Sequence, residues 1–126
     1  MPVLAGWPVA HPERKVISPY GMRGGKMHEG VDIGAPRGTP VLAVAGGTVT
    51  LSGEQQGYGQ IVVIRHDDHL ETAYAHLDRR RVETGERVRG GQRIGDLGQS
   101  GNATTPHVHY EVRLRGTPVD PAAYLP

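Results

Sequence analysis

Seven histidines stand among 126 residues, and cysteine is absent. A metal centre or a catalytic pair in this chain must therefore be built from imidazoles and carboxylates, without thiolates. His107-Val108-His109 opens the run His107, His109, Glu111, Arg113, interleaved with Val108, Tyr110, Val112, Leu114. Such period-two alternation gives a strand one polar and one apolar face. Both imidazoles then share the polar face, about 6.6 Å apart along the backbone. At that spacing one ring can hold a metal while the other stands beside it. The pattern equally suits two solvated histidines on a wet face.

His28-Glu29-Gly30-Val31-Asp32 places a second imidazole four residues before a carboxylate. Gly30, Gly34 and Pro36 argue against a helix. On a straight strand the two groups lie about 13 Å apart. They share a metal only if the chain curls between them, and Gly30 is the residue that permits it. In Thr72-Ala73-Tyr74-Ala75-His76-Leu77, alternation puts Thr72, Tyr74 and His76 on one face and Ala73, Ala75 and Leu77 on the other. His66 and His69 flank Asp67-Asp68 and read as turn residues; His11 reads as solvated. Two histidines with one aspartate form a mixed N/O set suited to zinc with one open position. Two further histidines supply acid–base groups near neutral pH.

Other chemistries lack their residues. There is no Gly-x-Ser-x-Gly and no phosphate loop, and the only lysines are Lys15 and Lys26. Lys+Arg total 14 against 13 Asp+Glu, so no basic surplus points to nucleic acid. The run Arg79-Arg80-Arg81 reads as a solvated turn. No apolar stretch approaches the roughly 20 residues of a membrane span. The start of the chain lacks the positive flank and unbroken apolar run of a signal peptide. That fits a cytoplasmic protein or a trimmed piece of an exported one.

To bring these residues together the chain must position them on strands. Gly 19 and Pro 10 leave little room for long helices. Strands are expected at 40–45, 48–51, 60–66, 71–77, 93–97 and 107–115, separated by Gly-rich turns. The first 20 residues read as irregular, with 1–15 as lead-in to a single domain, 1–126. Asp120-Pro121 predicts one terminal helical turn through Tyr124. The segments around Gly38 to Val49 and Gly85 to Gly95 share a Gly-x-x-Val pattern, either a weak duplication or two similar turns. The expected class is all-β: a small antiparallel, barrel-sandwich-like sheet.

Nearly the whole chain, in order, resembles the LytM/lysostaphin-type zinc metallopeptidases of bacterial cell walls. The carrying motifs are His28-x-Gly30-x-Asp32, Ala35-Pro36-x-Gly38-Thr39-Pro40-Val41, Thr72-x-Tyr74-x-His76-Leu77, and Gly101-Asn102-x-Thr104-x-Pro106-His107-x-His109-Tyr110-Glu111. The family often has Gly where Thr105 stands and Phe where Tyr110 stands. The resemblance implies Zn2+ held by His28, Asp32 and His109, with His76 and His107 catalytic. It implies a duplicated-hybrid-motif sheet with a loop-walled groove. It also implies hydrolysis of peptide bonds in peptidoglycan stems or cross-links, in the periplasm or the cell wall. A monomer is expected, with a peptidoglycan peptide as substrate, no nucleic acid and no membrane insertion. Some family members have lost ligands and act as non-catalytic regulators of other wall hydrolases. A sugar-transport phosphoryl carrier, which also pairs histidines, would need neither Asp32 nor His76.

Overall fold

Short β-branched runs between glycine-rich turns become twelve strands, described in a computed structural model for residues 6–126. Residues 1–5, part of the apolar start, lie outside the described residues. The strands are β1 (Lys15–Ser18), β2 (Gly21–Arg23), β3 (Lys26–His28), β4 (Val31–Gly34), β5 (Pro40–Leu42) and β6 (Gly47–Gln55). They continue with β7 (Gly59–Arg65), β8 (Leu70–Arg80), β9 (Arg87–Val88), β10 (Arg93–Leu97), β11 (His107–Leu114) and β12 (Thr117–Val119). A 3₁₀ turn, Pro121–Tyr124, closes the chain, with the Asp120 side chain accepting the Ala122 N–H, as the Asp-Pro signal predicts.

The main sheet is antiparallel in the order β1-β4-β11-β8-β7-β6-β9, with β12 beside β11 and β10 bridging β5 and β8. The all-β expectation holds. The irregular lead-in does not: β1 lies within the first 20 residues and pairs with β4, and just beyond them β2 pairs with β3, a ribbon that was not expected. These strands are short and mostly exposed, so no burial pattern marks them. Even before β1, Val9 is buried and bridges Val41, while Arg14 stacks 4.8 Å above the Trp7 ring. The arginine run is a second correction. Arg79 and Arg80 end β8, Arg80 bonds Ser52, and Arg81 grips Asp96 with bonds of 2.6 and 3.1 Å.

The two similar segments pack on each other reciprocally. β5 pairs with β10 and β6 with β9, and Ala43 exchanges backbone hydrogen bonds with Gly91 and Gln92.

The core lies mainly on one side of the sheet, where Val31, Ile33, Tyr74, Leu77, Ile94, Leu97, Val108, Tyr110 and Val112 meet. A smaller cluster, Ile61, Val63, Ala73 and Ala75, underlies the other face. That face carries the polar residues of β11. Ala75 stands opposite His109 and Ala73 opposite Glu111; directly opposed residues share a face, and the two methyl groups leave room for the larger side chains. His66 is more than a turn residue. Its ring nitrogens meet the Gly46 carbonyl at 2.8 Å and Thr72 Oγ1 at 2.7 Å, and Thr72 continues to the buried Tyr74 hydroxyl, 2.7 Å away.

Candidate metal centre and active site

Pairing places Asp32 on β4 directly across from His109 on β11. His28, the last residue of β3, turns back onto the same point. His28 Nε2 lies 3.2 Å from Asp32 Oδ1, and His109 Nδ1 lies 2.9 Å from the same oxygen. The curl expected between His28 and Asp32 is present, but Gly30 serves it differently. Its φ is outside the left-handed region. A Cβ there would strike the Tyr110 carbonyl and come within 2.9 Å of Glu111 Cγ and 3.0 Å of His109 Cε1. Glycine is required by close approach, which lets β4 and the preceding turn lie against β11.

The other two histidines face this cluster. His107 shares a face of β11 with His109, and its Nε2 lies 3.7 Å from Asp32 Oδ1. The His76 ring centroid is 4.9 Å from that of His107 and 6.1 Å from that of His109. Simple alternation would have sent His76 to the Tyr74 side, into the main core. Instead His76 adopts φ 64°, and the pairing of β8 with β7 shifts register there, with a second shift against β10 at Asp78. The irregularity turns His76 into the groove and returns Leu77 to the main core beside Tyr74. This corrects the expected grouping of Leu77 with Ala73 and Ala75.

Distant segments hold the irregularity in place. The His76 N–H donates to the Tyr58 carbonyl at 2.9 Å. His76 Nδ1 donates to the Ser100 carbonyl at 2.7 Å. Ser100 Oγ in turn donates to the Leu77 carbonyl at 2.6 Å and accepts the Gln60 N–H at 3.0 Å. The 57–59 and 100–102 turns meet glycine to glycine. A Cβ on Gly59 would lie 2.5 Å from Gly101 N, and one on Gly101 would lie 2.5 Å from Gly59 N.

All four imidazoles are oriented alike. His28 Nδ1 meets the Pro19 carbonyl at 2.8 Å, His107 Nδ1 the Thr105 carbonyl at 2.8 Å, and His109 Nε2 the Glu111 Oε2 at 2.8 Å. With His76, each ring therefore donates outward to an acceptor and presents its other nitrogen to the centre. Outer acceptors of this kind fix the ring and tautomer of metal-binding histidines. The inward donor atoms of His28, Asp32 and His109 lie within 4.8 Å of one another. Two imidazole nitrogens and one carboxylate oxygen, buried and convergent, fit a divalent metal of the zinc type.

Charge is concentrated here. Burial pushes the Asp32 carboxyl up, but His109, His107 and His28 outweigh it and hold the carboxyl below its usual range. Burial disfavours charge on His109 too, yet Asp32 and Glu111 on its two sides raise it to about 9. Burial holds His76 below the usual histidine range, with the neighbouring His107 and His109 adding to the effect. Glu111 is fully buried. It accepts from Tyr58 at 2.9 Å and from Arg113 at 2.8 Å as well as from His109. Burial and Glu111 push the Tyr58 hydroxyl up to about 12. Arg23 lies 3.6 Å from Asp32 Oδ2.

A groove of about 610 Å³ runs over the cluster, walled by Arg23 and Met27 from the β2–β3 ribbon and by Tyr58, Asn102 and Thr104 from the facing turns. The structure thus brings together His28, Asp32, His76, His107 and His109. It leaves out His11, His66 and His69. Sequence reasoning missed roles for Glu111 and Tyr58; Arg113, read with Arg23 as an arginine that could meet stem-peptide carboxylates, is instead paired with Glu111. Glu111 lay on the polar face of β11, but its partners were visible only after folding.

The model of the family described as Peptidase family M23 matches residues 26–121. The chain is 44% identical over 115 residues to the DD-carboxypeptidase/endopeptidase Mpg of Neisseria meningitidis, covering 86% of this chain and 26% of that protein. It is 37% identical over 121 residues to the murein hydrolase activator NlpD of Escherichia coli, covering 95% of this chain and 31% of that protein. The crystal structure of a zinc-containing peptidase from Vibrio cholerae superposes with a TM-score of 0.85 at 35% identity, over 90% of this chain and 37% of that one. The chain thus spans about a quarter to a third of the length of these proteins.

Proposed function

Because this chain belongs to peptidase family M23, the lysostaphin-type peptidoglycan endopeptidases, we propose that it is a zinc-dependent endopeptidase. Its substrates are the peptide bonds of peptidoglycan stem peptides or their cross-links, which sets its work in the periplasm or the cell wall. One observation carries this reading: within a single chain, three metal-type donors and two further imidazole nitrogens converge on one groove.

His28, Asp32 and His109 would hold the zinc, which would supply Lewis acidity towards a scissile carbonyl and water. The chain's own residues do the rest. His76 and His107 each donate Nδ1–H to a backbone carbonyl, so each keeps an Nε2 lone pair for the groove. One takes a proton from water and returns it to the leaving amine. The other, once protonated, donates to the oxygen that gains charge in the tetrahedral transition state. Burial lowers His76 below the usual histidine range, which favours the neutral ring that can accept a proton. A purely regulatory domain needs none of this, and the complete set favours the enzyme.

The test is digestion of purified peptidoglycan with mass spectrometry of the fragments, alongside zinc content measured on the same samples. His28→Ala, Asp32→Ala and His109→Ala should lose both zinc and turnover. His76→Ala and His107→Ala should keep zinc while turnover falls by roughly 10²–10⁴. A protein that takes up no zinc and releases no fragments would overturn the reading.

A further inference from the structure

Glu111 is a fully buried carboxylate, unused in the chemistry above, on which three donors converge. His109 Nε2 and the Tyr58 hydroxyl meet Oε2 at 2.8 and 2.9 Å, and Arg113 Nε meets Oε1 at 2.8 Å. We propose that Glu111 is a positioning residue: when the His109 ring gives up a proton to bind metal, Glu111 holds the remaining hydrogen on Nε2 and thereby keeps Nδ1 as the metal-binding nitrogen. The inference rests on the reading of His109 as a metal ligand.

Donors and acceptors around Glu111 decide where that hydrogen sits. An ionised carboxylate only accepts, at two oxygens. Arg113 only donates, whereas the Tyr58 hydroxyl and a histidine nitrogen can each donate or accept. With Glu111 in place, every partner must donate, so the one hydrogen of the neutral, metal-binding ring sits on Nε2. An amide at this position has one accepting oxygen and one donating NH2. Arg113 cannot accept from an NH2, so it claims the oxygen. The NH2 then faces His109 and Tyr58, which can reverse their roles. His109 reverses by accepting at Nε2 and carrying its hydrogen on Nδ1, the atom that faces Asp32 Oδ1 at 2.9 Å. Its metal-binding lone pair is then blocked. One exchanged atom in the wall of the site thus acts on the ligand through a tautomer, with the ligand itself unchanged.

This mechanism predicts rescue. If Arg113 is replaced by Met, nothing competes for the amide oxygen, which can turn to His109 and restore Nε2–H. The experiment is a double-mutant cycle on zinc affinity, measured by chelator competition for wild type, Glu111→Gln, Arg113→Met and the double variant, with thermal melts of all four. Partners of metal-bound histidines typically contribute roughly 10–100-fold to affinity, so E111Q should weaken zinc by that factor. R113M should stay near wild type, and the double variant should recover most of the loss. In protein loaded with cadmium-113 and labelled with nitrogen-15 in histidine, coupling should run to His109 Nδ1 in wild type and in the double variant.

E111Q binding zinc as tightly as wild type would overturn the proposal. So would a double variant no better than E111Q, the result expected of a merely structural residue. If E111Q alone does not fold, R113M and the double variant decide: equal affinities support the proposal, and a tenfold or greater gap overturns it. Absence of zinc binding by the wild type would overturn the metal reading and this proposal together, an outcome distinct from the failure of Glu111 alone.

Discussion

Replacing His76 separates the two demands made on one position, a left-handed backbone and a working imidazole. His76 sits at φ 64° inside β8, a conformation that costs an L-residue roughly 1–2 kcal/mol. Glycine escapes that cost but gives back about 0.5–1 kcal/mol through its freer unfolded chain. His76→Gly should therefore be more stable than His76→Ala by about 0.5–1 kcal/mol. Both variants lose the same bond to the Ser100 carbonyl, so that loss cancels in the comparison. With an unfolding entropy of about 2.1 cal/mol/K per residue, a chain of 126 residues gains or loses about 4 °C per kcal/mol. The glycine variant should melt about 2–4 °C above the alanine variant by scanning calorimetry at equal zinc loading. Turnover should nevertheless fall by the same roughly 10²–10⁴ in both, since neither carries an acid–base group. Equal melting temperatures would mean that the strand relaxes to an extended form, and that the hydrogen bonds from Tyr58 and Ser100 do not hold the irregularity. Turnover within tenfold of wild type in either variant would remove His76 from the chemistry.

Gly30→Ala should destabilise the fold by about 1–3 kcal/mol through overpacking against β11 and weaken zinc binding by parting Asp32 from His109. Gly53→Ala, whose new Cβ would approach nothing nearer than Leu51 at 3.7 Å, should do neither, and equal effects would refute the close-approach argument. Zinc uptake at pH 7 should release about one proton, because Asp32 and Glu111, against the effect of burial, raise His109 to about 9 and leave the metal-free ring charged. Calorimetry in buffers of different ionisation heat reads this directly, and heats independent of buffer would contradict it. Burial lowers the His76 value, so activity should be present at neutral pH and lost as pH falls through a midpoint below the usual ~6.5. An acid limb centred at or above pH 7 would assign control to another group.

Legibility from sequence followed the physics of each element. β11 was readable in full, because its alternation serves two faces with opposite demands, and the structure buries Val108, Tyr110 and Val112 behind His107, His109 and Glu111. The 3₁₀ turn was readable because Asp120 and Pro121 act locally. Strands β1 to β3 were not, since they are held by pairing and by contact with the groove, with little apolar burial of their own. The direction of His76 was beyond reach for a different reason. Its backbone is fixed by Tyr58 and its ring by Ser100, partners 18 and 24 residues away that no local pattern announces. The grouping of His28 and Asp32 with His109 came from family resemblance; spacing alone left the first two about 13 Å apart on a straight strand.

The glycine-to-glycine meeting of the 57–59 and 100–102 turns has a consequence for selectivity. These turns form one wall of the groove, and the same residues that build it also anchor His76. Wall and acid–base group are thus one mechanical unit: the groove cannot widen at its root without displacing the imidazole. A strand of substrate too thick for the groove would wedge the wall outward and carry His76 away from the reacting atoms. Misplacement by about 1 Å can cost on the order of 10²-fold in rate. Under the proposed function, discrimination against oversized peptides would therefore enter kcat as well as binding, and a poor fit would occupy the groove and remain uncut.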